Sequence, residues 1–71
     1  MKTKRFSGDE FLLESLLGKP LNEAKELALF NGYSIRIKRE DNNRFAITFD
    51  SRFDRINIEL DNGLVTECNF G

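Results

Sequence analysis

Seventy-one residues, with 11 Lys+Arg against 12 Asp+Glu and a net charge of −1, leave room for one core and exclude a long-range field that would draw the chain to nucleic acid or an anionic membrane. A chain this short hides only about 60% of the surface its unfolded form exposes, a shortfall that seven phenylalanines partly offset. The single cysteine forbids an internal disulfide and suits a reducing compartment; with no apolar run behind the basic N-terminus and none near the about 20 residues that span a bilayer, the expectation is a soluble, cytoplasmic protein with no membrane partner.

Residues 1–6 read as a basic tail, and residues 7–17 as a helix. Ser7-Gly8-Asp9-Glu10 has the spacing of a capping box, with Phe6 and Phe11 placed as a hydrophobic staple. Leu12, Leu13, Leu16 and Leu17 would carry its apolar side, and Gly18 can stop it in a left-handed conformation. "PLNEAKELALFNG" predicts a second helix with Pro20 in its first turn. Its buried face is Leu21, Ala24, Leu27 and Ala28, thin enough for close approach to a sheet, and Asn31-Gly32 ends it.

From Tyr33 the period falls to two. Tyr33, Ile35 and Ile37 alternate with Ser34, Arg36 and Lys38; after a turn at residues 40–43, Phe45, Ile47 and Phe49 alternate again. Ile56, Ile58 and Leu60 form the next inward set, followed by a hairpin at Asp61-Asn62-Gly63. A two-residue Asn-Gly loop would set Leu60 against Val65 but Ile58 against Glu67. A three-residue loop, setting Leu60 against Leu64, Ile58 against Thr66 and Ile56 against Cys68, keeps the apolar face intact and is the register expected. The fold class is α+β: one or two N-terminal helices packed on a small mixed or antiparallel sheet, in a single domain over residues 1–71 whose core lies in residues 18–71.

The chemistry available is narrow. There is no histidine, hence no imidazole for a triad base or a zinc cluster, and the glycines fall at caps and turns rather than in a phosphate-cradling loop. No cofactor, no metal and no enzymatic activity are expected. "IRIKR", Arg44 and "KTKR" are the best case for nucleic acid, but the neighbouring aromatics fall on the inward set, where they cannot stack bases.

"DSRFDR", residues 50–55, fits two readings. As plain structure it is a polar connection whose exposed ion pairs contribute little. Alternatively, Arg52 and Arg55 reach back under the preceding loop, their planar forks suiting backbone carbonyls and the Asp50 carboxylate. A loop braced in that way loses little entropy when a partner binds.

Over roughly residues 16–71 the chain resembles the potato inhibitor I family of serine protease inhibitors, especially its compact bacterial relatives. The resemblance rests on the order of "LLGKPLNEAKEL" and "ITFDSRFDRINIELDNGLVT". It implies a helix against a small mixed sheet with an extended loop that a protease binds as a substrate and turns over very slowly. The scissile bond would be Phe49–Asp50, presented by Ile47, Thr48, Phe49 and Asp50. Arg55 would brace it, assisted by Arg52, with Asn57 standing where plant members carry a second arginine. An aromatic at Phe49 implies chymotrypsin-like or subtilisin-like targets. The other reading is a small non-enzymatic interaction module, a phage or bacterial accessory protein that blocks a cytoplasmic protein partner through its sheet edge or the 50–55 loop, with Phe49 buried; either protein would be a monomer or a weak homodimer.

Overall fold

A computed structural model describes residues 11–48, 50 and 52–71. Leu12 and Leu16, one helical turn apart, are buried on the same side of the helical residues 11–16, here α1. The capping box at Ser7–Glu10 and the Phe6 half of the staple lie outside the described residues, and Phe11 is exposed. Gly18, at φ +84°, turns the chain after α1, and its amide donates to Val65 O at 2.7 Å.

The next helix, α2, is Leu21–Phe30. Pro20 is not in its first turn as expected but one residue earlier, as an extended N-cap at ψ 155°. The reason lies in its neighbours: residues 19–21 run antiparallel beside the last hairpin, with Val65 N donating to Lys19 O at 2.9 Å and Leu21 N to Gly63 O at 3.3 Å. That pairing holds Pro20 extended, and the helix begins after it. Asn31-Gly32 ends α2 as predicted. Tyr33 N donates to Ala28 O at 2.9 Å and Gly32 N to Leu29 O at 3.0 Å, the paired bonds of a Schellman motif, with Gly32 left-handed at φ +86°.

Four strands follow among the described residues: β1 (Ser34–Glu40), β2 (Asn43–Arg44), β3 (Arg55–Asp61) and β4 (Leu64–Phe70). They form one mixed sheet in the order β2-β1-β3-β4, with β1 parallel to β3 and the other pairs antiparallel. This is the α+β class expected: two helices on a mixed sheet. Ile56, Ile58 and Leu60 of β3, with Val65 of β4, meet Leu12, Leu16, Ala24 and Ala28 in one buried cluster. Tyr33, Ile35, Ile37, Cys68 and Phe70 pack around its edge.

The last hairpin departs from the expected register. Its loop is the two-residue Asn62-Gly63, both at positive φ, and Leu60 pairs with Val65. A bulge at Thr66 then restores the apolar face, so that Ile58 meets Cys68 and Ile56 meets Phe70. The Thr66 side chain donates to Asp61 Oδ2 at 3.0 Å. The bulge keeps the apolar face intact without a longer loop, and an Asn-Gly pair suits the twist of a two-residue turn. Cys68 therefore faces Ile58 rather than Ile56, and its thiol donates to Leu13 O at 3.2 Å.

A second bulge, at Lys38 in β1, changes which basic residues share a face. Ile37 pairs with Ile58 and Arg39 with Glu59. Arg36 and Arg39, not Arg36 and Lys38, thus lie on the side of the sheet away from the helices.

Candidate functional site

Parallel pairing of β1 with β3 obliges the chain to cross from one end of the sheet to the other between them. Residues 41–54 connect the two strands, and of the described ones Thr48 and Asp50 are bonded to Arg36 and Arg55. The connection begins as a tight hairpin, Asp41 at φ +56° turning the chain so that Glu40 pairs with Asn43 and Arg39 with Arg44. Phe45 N donates to Lys38 O at 3.0 Å, and there the ladder stops. The regular strand expected from the alternation of Phe45, Ile47 and Phe49 does not form at 45–48, which carry no strand pairing. Phe45 is 47% exposed instead of inward. β1 keeps an open edge beside these residues, but Thr48 is bonded instead to the Arg36 side chain, which rises from the outer face of the sheet.

Ile47 is half-buried, while Thr48 and Asp50 are exposed; Phe49 and Ser51 lie outside the described residues. Two arginines hold this segment from below. Arg55, first residue of β3, is itself buried. Its Nη2 donates to Asp50 O at 3.0 Å and its Nη1 to Asp50 Oδ2 at 3.4 Å. Its Nε and Nη2 also donate to Gly71 O at 3.1 and 2.7 Å. One guanidinium therefore ties the loop to the residue that follows β4, and Gly71 N returns a bond to Arg55 O at 3.1 Å.

Arg36, on β1, is the second. Its Nε donates to Asn57 Oδ1 at 2.8 Å, and its Nη1 lies 3.2 Å from Thr48 Oγ1 and 3.4 Å from Thr48 O. The same nitrogen stands 3.7 Å from Asp50 Oδ1. Asn57, buried on β3, completes its amide by donating to Asn69 Oδ1 at 3.4 Å.

The remaining sequence candidates fall differently. Arg52 forks the Asp54 carboxylate, Nε to Oδ1 and Nη2 to Oδ2 at 3.0 Å each, so its guanidinium steadies the turn at 53–54. Only its backbone amide reaches toward Gly71 O, at 3.4 Å. Asn57 acts on the loop through Arg36. Asp54 O in turn accepts from Ser34 N at 2.9 Å, fastening the turn to the start of β1. Phe53, at 83% exposed, stands beside a shallow groove formed with Arg52, Asp54, Phe70 and Gly71.

The electrostatics follow these contacts. The Thr48 hydroxyl, donating to the Asp50 carboxylate, and Arg55 beside it hold the Asp50 carboxyl down at about 2. Asp54 is lowered by Arg52. At the far end of the same face, Arg39 donates to Glu59 Oε1 at 2.7 Å and forks Asp61 at 2.9 Å to each oxygen. Arg39, with help from Thr66, brings Asp61 to about 2. Burial pushes the Cys68 thiol up, which makes it a poorer nucleophile. Among the described residues no three His, Cys, Asp or Glu side chains converge to hold a metal ion, and no helix is long and apolar enough to cross a membrane.

Sequence reasoning missed Arg36 and Gly71. Alternation placed Arg36 on an outward face, but its use against Thr48 depends on β1 lying beside β3, a contact that no local pattern carries. Neither a family model nor a curated protein matches the chain.

Proposed function

We propose that this chain is a non-enzymatic serine protease inhibitor of the potato inhibitor I kind, presenting residues 47–50 as a substrate-like loop. One observation supports the reading above all. Residues 45–48 carry no strand pairing, yet Thr48 and Asp50 are each held by an arginine rooted in a different strand. A loop that must bind without losing much entropy gains from being held in place before its partner arrives.

In this reading Phe49 enters the hydrophobic primary pocket of a chymotrypsin-like or subtilisin-like enzyme. The enzyme's serine attacks the Phe49 carbonyl, giving an acyl-enzyme and a new amine at Asp50. Arg55, bonded to Asp50 O and its carboxylate, keeps that amine at the site. The amine then attacks the acyl-enzyme, the peptide bond re-forms, and hydrolysis by water is rare.

The test is an inhibition titration of subtilisin and chymotrypsin with the wild type and with Phe49→Gly. Stoichiometric inhibition that Phe49→Gly loses while remaining folded is the expected result. No inhibition at micromolar concentration from a folded wild type overturns the reading.

A second reading has its own observation. Leu29 and Phe30, 74% and 88% exposed at the end of α2, give an apolar tip remote in sequence from the loop, of the sort an interaction module uses on a protein partner. A partner whose binding is lost on Phe30→Ser and untouched by Phe49→Gly would favour it.

A further inference from the structure

Arg55 accounts for only one end of the loop. Its bonds go to Asp50 and to Gly71, leaving the residues before Phe49 to be held by something else. We propose that Arg36 is a positioning residue that anchors the Thr48 end of the loop independently of Arg55. Asn57 orients the Arg36 guanidinium, so that two strands clamp the loop at two separate points.

The geometry supports this in three steps. Asn57 is buried on the central strand and its amide is engaged on both sides, accepting from Arg36 Nε at 2.8 Å and donating to Asn69 at 3.4 Å. A guanidinium is planar, so a bond that fixes Nε also fixes the plane in which Nη1 must lie. Nη1 then stands within reach of both oxygens of Thr48, at 3.2 and 3.4 Å. A row of bonds thus runs from β4 through β3 and β1 to the loop: Asn69, Asn57, Arg36, Thr48. No bond in that row involves Arg55.

The two clamps meet at one group. Asp50 has Oδ2 3.4 Å from Arg55 Nη1 and Oδ1 3.7 Å from Arg36 Nη1, and Thr48 donates to Oδ1. The carboxylate is therefore the cross-piece between the ends, balancing two cations that would otherwise repel across the loop.

The proposal rests on the inhibitor reading for its consequence alone: with Phe49–Asp50 cut, Arg36 would retain one new end and Arg55 the other. The ordering of residues 47–48 by Arg36 does not depend on any protease. Its experiment is backbone ¹⁵N relaxation on the full chain, comparing wild type, Arg36→Met, Arg36→Lys and Arg55→Met. In Arg36→Met the order parameters of Ile47 and Thr48 should fall from rigid values of about 0.85 toward about 0.6, while Asp54 and the β3 amides stay unchanged. Arg36→Lys should loosen the same two residues, because one ammonium cannot serve Asn57 and Thr48 in fixed geometry; it also serves as the reporter if Arg36→Met unfolds. Arg55→Met should loosen Asp50 and Arg52 first.

Asn57→Asp keeps an acceptor for Arg36 Nε and should preserve order at 47–48, whereas Asn57→Leu should not. A merely structural role for Asn57 would not separate those two variants in this way. Rigid 47–48 amides in both folded Arg36 variants, or equal loosening of both ends in every variant, would overturn the proposal. The titration with subtilisin judges the other matter by itself: a wild type that fails to inhibit removes the inhibitor reading and leaves the relaxation result standing.

Discussion

Arg36 Nε donates to Asn57 Oδ1 at 2.8 Å, across two parallel strands whose residues are 21 apart in the chain. The bond sits on the sheet face that the helices leave uncovered, and it aims the rest of the Arg36 guanidinium at Thr48. The outer face is thus a polar platform, built around one buried amide and one buried arginine, on which the crossing between β1 and β3 rests.

That platform constrains Gly71. A methyl group added there would lie 2.7 Å from Asn57 Nδ2, so the short Asn57 side chain must turn away, weakening its hold on Arg36. Gly71→Ala should remain folded, with the Arg36 Nε–H resonance moving toward a solvent-exposed position and exchanging faster. An unchanged Arg36 resonance in that variant would show that Asn57 gives way without affecting its neighbour.

Acid should act on both ends of the face. Asp50 and Asp61 lie at about 2 in the folded chain against an ordinary 3.8. Carboxyls with depressed folded values contribute stability that is complete above the unfolded value and lost as pH falls through the folded one. The thermal midpoint should therefore stay level down to about pH 5 and fall between about pH 4 and pH 2. Asp61→Asn, which removes the group paired to Arg39, should lower the midpoint at neutral pH and flatten that fall. An Asp61→Asn curve parallel to wild type would mean that Asp61 binds its proton equally in both states.

The core predicts a sharp contrast between adjacent leucines. Leu16 is fully buried and Leu17 is 47% exposed. Leu16→Ala should cost about 2–5 kcal/mol, a large part of the margin of so small a domain, whereas Leu17→Ala should stay within about 0.5 kcal/mol. Urea unfolding of the two variants measures both. Similar losses would place α1 differently against the sheet.

Much of this architecture was legible locally. Asn31-Gly32 announced a left-handed helix end because few other residues tolerate that conformation, and the Schellman bonds follow from it. Ala24 and Ala28 marked the close face of α2, and Ile56, Ile58 and Leu60 the inward face of the central strand, because periodicity reports burial directly. Asp50 and Arg55 could be paired as loop and brace since they are only five residues apart.

Other features depended on contacts that no short stretch of sequence encodes. The hairpin register misled because a bulge at Thr66 lets a two-residue turn keep Ile58 opposite Cys68; alternation counts residues, and a bulge adds one. Phe45 alternated like a strand residue yet lies half outside, since alternation does not say where a pairing ladder ends, and β2 stops at Arg44. Composition and period marked the buried residues of the central strand and the close face and end of α2, for these are properties of a residue and its near neighbours. The parallel placement of β1 beside β3 decided that Arg36 would stand on Asn57 and under Thr48, because only the closing of the whole sheet brings residues so distant in the chain within hydrogen-bond reach.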